Sequence, residues 1–145
     1  MNASLVVSII ALIISLISPI YSYIMSKKVN DINLKSEYIK DTYKEFLTKR
    51  IPEARRYVSF NDNTLTGIGK LQNELIELRR ALYFYKYSEN DFYMDIKIKI
   101  QTLEDFVVNN EGCKFDDAEI ENMQRQIEEM LTDIYESMNN KYNNG

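Results

Sequence analysis

Histidine is absent from this chain of 145 residues, and that absence removes more chemistry than any other feature of the composition. Without an imidazole there is no Ser-His or Cys-His nucleophilic pair, no histidine-bearing zinc site and no histidine general base. Cysteine is nearly as scarce: Cys113 stands alone, so no intramolecular disulfide can form. Only two prolines and four glycines interrupt the chain, which leaves few places where a helix must stop.

The fragments that look like chemistry lack its spacing. "TGIGK" at Thr66 to Lys70 has neither the gap between glycines nor the hydroxyl after the lysine that a phosphate loop needs, so it reads as the start of a helix. The acidic residues Asp116, Asp117, Glu119, Glu121, Glu128, Glu129, Asp133 and Glu136 have no EF-hand spacing and read as a solvated helix face. We therefore expect a protein that is not an enzyme and needs no cofactor or metal.

What is present is helix-forming sequence, rich in Glu, Lys, Leu, Ile and Met. From Leu5 to Met25 no charged residue occurs over 21 positions, and Lys27 and Lys28 follow. At about 1.5 Å per residue such a helix matches the hydrocarbon thickness of a bilayer. The run predicts one transmembrane span over residues 5–25. The lysines on its C-terminal side place the N-terminus outside and the rest of the chain in the cytoplasm of a cell with an inner membrane. Residues Lys27 to Arg56 carry nine basic against five acidic side chains, a further attraction toward anionic headgroups.

Beyond the anchor, residues 1–28, the pattern predicts a cytoplasmic bundle of about four helices over 29–140 and a disordered tail over 141–145. The expected fold is thus all-α. Ile32, Ile39, Tyr43, Phe46 and Leu47 share one face of a first helix that Pro52 should interrupt. Ile68, Leu71, Leu75, Leu78, Leu82 and Tyr85 alternate spacings of three and four, as a bundle seam does. "MDIKIKI" alternates like a strand taken alone, but the longer match from Phe92 to Val107 is helical. Asp116 and Glu119 form the capping-box pattern of a last helix.

Two groups of residues are candidates for function. Ser4, Ser8, Ala11, Ser15, Ser18 and Ser22 fall on one four-three stripe of the apolar run. Small residues on one face let helices approach closely in lipid, so the stripe predicts a homo-oligomer, or a ring whose hydroxyls line a pore. Arg55 with Arg56, and Arg79 with Arg80, lie near the aromatic run Tyr83 to Tyr93, a mixture that suits either a protein partner or a single-stranded nucleic acid.

The layout of one outward-starting anchor followed by a small helical domain with paired arginines resembles the membrane-anchored accessory and effector proteins of bacterial phage defence. Among them it is similar to the HEPN-like proteins that accompany some RNA-targeting CRISPR nucleases. That resemblance implies an oligomeric inner-membrane protein that alters membrane permeability in antiviral defence. Its alternatives are a membrane-tethered adaptor that recruits a cytoplasmic protein, and an RNA-binding or ribonuclease domain. The family's ribonucleases place a histidine a few residues after an arginine, and no histidine follows Arg55 or Arg79.

Overall fold

Apolar residues spaced three and four apart from Ile68 to Tyr85 form the seam around which the molecule packs, each of them almost completely removed from solvent. The structure, a computed structural model, describes the backbone of residues 3–144 and the side chains of residues 17–143. Helix α1 (Ala3–Thr42) continues into a π-helical stretch (Tyr43–Arg50) and a short α2 (Ile51–Arg55). A two-stranded hairpin follows, β1 (Ser59–Asn61) and β2 (Thr64–Thr66). Then come α3 (Ile68–Ala81), a 3-10 turn (Leu82–Phe84), α4 (Tyr85–Ser88), α5 (Asn90–Asn110) and α6 (Asp117–Asn144).

The chain divides into two units, residues 1–37 and residues 38–145. The first is the greater part of α1. Its sequence predicts a membrane span, and the structure corrects that expectation. Among the described residues no helix is long and apolar enough to cross a membrane. Residues 5–16 of the apolar run lie outside the residues whose side chains are described, and the described part, Ile17 to Met25, gives way to Lys27, Lys28 and Asp31. The single-pass anchor, the inner-membrane location, the membrane as partner, the pore and the tethered adaptor all depended on that span and fall with it. Of the serine stripe, Ser4, Ser8, Ala11 and Ser15 lie outside the residues whose side chains are described, while Ser18 and Ser22 are exposed.

The second unit holds the core. α5 contributes Tyr93, Ile96, Ile100, Leu103 and Val107, and α6 contributes Met123, Ile127, Leu131, Ile134 and Met138. These meet the α3 seam and Ile39, Phe46, Leu47, Ile51 and Ala54 from the first helical passage. Four principal helical passages therefore share one apolar interior, in agreement with an all-α bundle. The wider turns between Tyr43 and Arg50 carry the burial from Phe46 and Leu47 to Ile51 and Ala54, and the backbone stays helical through Arg50 and Ile51, so Pro52 does not interrupt the passage as its sequence predicts. Tyr135 on α6 donates a hydrogen bond to the Leu47 carbonyl at 2.6 Å, tying the last helix to the π-helical stretch.

Among the described residues the hairpin is the one sheet, and an isolated antiparallel bridge joins its Thr64 to Lys114 in the α5–α6 connection. Ser59 pairs with Thr66, Phe60 with Leu65 and Asn61 with Thr64. The two-residue turn places Asp62 and Asn63 both at positive φ, 49° and 59°, the geometry whose twist suits a tight hairpin and which Asp and Asn tolerate. The connection between α5 and α6 lies on this hairpin: Gly112 N–H donates to the Leu65 carbonyl at 3.0 Å and Phe115 N–H to the Asn63 carbonyl at 2.9 Å. Phe115 meets Phe60 edge-on. α6 then begins with the reciprocal cap its sequence predicts, Glu119 N–H to Asp116 Oδ1 and Asp116 N–H to Glu119 Oε2, both 2.8 Å.

Candidate binding cleft

Arg79 and Arg80 end α3, and the helical period turns Tyr83 onto the same side one turn later. On α5, Tyr93, Lys97 and Gln101 recur every four residues beside the buried stripe. The packing of α3 on α5 brings these two rows together around an open cleft of about 500 Å³.

The walls differ in how far their charges are already answered. Arg79 Nη1 donates to Glu104 Oε2 at 2.9 Å, and this carboxylate is largely buried. Burial pushes the Glu104 carboxyl above its ordinary range, only partly opposed by the Arg79 charge, and its Oε1 has no hydrogen-bond partner. Arg80 pairs with Glu77 one turn earlier on α3 and remains 72% exposed, so that ion pair is a solvated one. Lys97 makes no ion pair among the described residues.

At one rim Tyr83 is met by Lys86 and Tyr87 from outside the cleft. Tyr83 and Tyr87 hydroxyls lie 3.2 Å apart, and Lys86 Nζ donates to the Tyr83 oxygen at 3.2 Å. The hydrogen bond shared with Tyr87, and then that from Lys86, hold the Tyr83 hydroxyl below its ordinary pKa. Inside the cleft the rings are engaged with one another: Tyr83 and Tyr93 are nearly perpendicular, at 89°, and Tyr93 is buried.

The other arginine pair is elsewhere. Arg55 lines a groove with Glu128, Leu131, Thr132 and Tyr135, and Glu128 approaches it only to 3.8 Å. Arg56 is exposed beyond the end of α2. The four arginines singled out in the sequence thus do not form one surface. Lys97, Gln101 and Glu104 escaped the sequence reading, although Tyr93, Lys97, Gln101 and Glu104 run at spacings of four, four and three, a polar row visible once α5 is taken as a helix.

One further cluster has the residue types of catalysis. Ser137 on α6 is buried, donates to Asp95 Oδ2 at 2.8 Å and accepts from Lys99 Nζ at 2.5 Å. Lys99 also pairs with Asp95 at 3.0 Å. Ser137 donates to the same carboxylate that Lys99 pairs with, so the trio joins α5 to α6. Burial alone would raise the Asp95 pKa, but the bonds from Ser137 and Lys99 outweigh it and lower it.

The fold and site together define a small helical domain with an open, cation-lined cleft. No family model, curated protein or solved structure matches the chain. The likeness to HEPN-like phage-defence effectors, drawn from layout, is corrected accordingly: its anchor has no counterpart among the described helices, and no relationship supports its antiviral, RNA-binding or ribonuclease expectations.

Proposed function

We propose that this chain is a binding module that takes an acidic segment of a protein in the cleft between α3 and α5, and that it transforms nothing there. The observation that carries this reading is the convergence of Arg79, Arg80 and Lys97 from two helices on one hollow, with Lys97 unpaired and Arg80 held only by a solvated neighbour. Guanidinium groups and an ammonium placed on opposite walls suit carboxylates spaced along a polypeptide. Gln101 and the Tyr83 hydroxyl add neutral hydrogen-bonding groups.

A nucleic acid fits less well. Stacking needs open ring faces, and of the cleft's two tyrosines Tyr93 is buried and meets Tyr83 edge-on. The whole chain carries a net charge of −4, which repels a long polyanion but acts little on a short segment inside a local positive field.

The test titrates the full-length protein into a fluorescein-labelled Glu/Asp peptide at low salt and follows anisotropy. Saturable binding is expected, weakened about tenfold or more by Arg80→Gln together with Lys97→Gln and by added salt. Absence of saturable binding, or tighter binding to a labelled single-stranded RNA than to the peptide, overturns the reading.

A further inference from the structure

The molecule carries its own candidate ligand for that cleft. α6 holds seven acidic residues against only Arg125 and Lys141. Its apolar side is committed to the core through Met123, Ile127, Leu131, Ile134 and Met138, so its acidic residues point to solvent. Glu129, Asp133 and Glu136 are exposed and fall at i, i+4 and i+7, which places them on one stripe about 10 Å long. Only Glu129 has a counter-charge, Arg125 on the same helix at 3.8 Å; Asp133 and Glu136 make no ion pair among the described residues.

The two surfaces complement each other in sign, the cleft offering cations from both of its walls and the stripe three carboxylates. Because α6 is fixed by its buried face, the stripe is already ordered, and docking it costs less conformational entropy than ordering a free peptide would. Asp133, Glu136 and the cleft's Lys97 are charges that the described fold leaves without an ion pair.

We propose that the acidic segment received by the α3–α5 cleft is the Glu129–Asp133–Glu136 stripe of α6 in a second copy of this chain. The inference rests on the reading of the cleft as an acceptor of acidic segments and names its occupant. Cleft and stripe are different surfaces, so the contact is heterologous: each molecule offers a cleft to one neighbour and a stripe to another, and association runs head to tail. Rim charges screened within about 10 Å at 0.1 M salt make the assembly sensitive to ionic strength.

Sedimentation velocity on the full-length protein tests it, with two neutralised variants, Arg80→Gln with Lys97→Gln and Asp133→Asn with Glu136→Gln. The wild type should form dimers and longer species at about 0.02 M salt and dissociate at about 0.5 M. Each variant alone should associate at least about tenfold more weakly. An equimolar mixture should recover association but stop at one-to-one pairs, because the stripe of the first variant fits the cleft of the second and neither complex can grow. Recovery in the mixture also shows that both variants are folded. A wild type that stays solitary at low salt, or association that both variants leave unchanged, overturns the proposal. If the acidic peptide still binds the cleft of a solitary wild type, only the identity of the occupant fails; if neither binds, the function falls as well.

Discussion

Gly67 sits at φ 74° immediately before α3, and a Cβ there would stand 2.0 Å from the Tyr57 carbonyl oxygen. Two independent constraints therefore require glycine: the left-handed backbone and the close passage of the chain leaving α2. Gly67→Ala should cost about 2–3 kcal/mol, read as a lower urea midpoint with an unchanged slope. Gly69, two residues on, has open space where a Cβ would stand, with nothing within 4 Å, and makes the control, for which alanine should be neutral or mildly stabilising. The sequence marks this stretch as a helix start, but only the fold shows which glycine is indispensable. The same holds in the cleft. Arg79 and Arg80 are conspicuous as a pair, whereas Lys97 gains its meaning from lying opposite them and making no ion pair among the described residues.

At the scale of elements, the α3–α5 contact joins the core to the cleft through Glu104 and Arg79. Burial raises the Glu104 pKa above its ordinary value of 4.5 more than Arg79 lowers it. A carboxyl whose folded pKa is raised stabilises the fold fully below the unfolded value and loses that contribution as pH rises through the folded value. Glu104→Gln keeps the shape and the neutral state. Relative to wild type, E104Q should therefore be most stable near pH 7, with the difference shrinking as pH falls toward 5, as urea titrations at the two pH values would record. It should also strengthen acidic-peptide binding, since Arg79 is no longer answered from within. An E104Q protein less stable than wild type at neutral pH would show that the Arg79 pairing outweighs burial.

Elements also show where sequence patterns carry information and where they fail. The seam from Ile68 to Tyr85 and the α6 cap are local or periodic features, and they appear as expected. The hairpin escapes such patterns because strands of three residues are too short to establish an alternation, and "NDNT" signals a turn without saying what flanks it. Its pairing is stabilised from elsewhere, by the backbone of Gly112 and Phe115.

For the whole molecule, the division at residue 37 has a direct consequence. Every residue of the buried apolar core among the described residues, from Ile39 to Met138, belongs to the second unit. A chain beginning at Tyr38 should consequently retain cooperative thermal unfolding and its helical circular dichroism, with a midpoint within about 5 °C of the intact protein. Non-cooperative melting of that fragment would mean that residues 1–37 supply contacts the core needs.

By itself the sequence determined that the chain is helical, which faces of α3, α5 and α6 are buried, and which reactions lack their residues. These follow from side-chain periodicity and composition, properties held within a few turns of chain. Only the tertiary structure decided that Arg79 and Arg80 face Lys97 while Arg55 and Arg56 lie apart, that Gly67 passes against Tyr57, and that a hairpin receives the α5–α6 connection. Each of those depends on residues distant in sequence coming within a few ångströms, and no local pattern records which turn of one helix meets which turn of another.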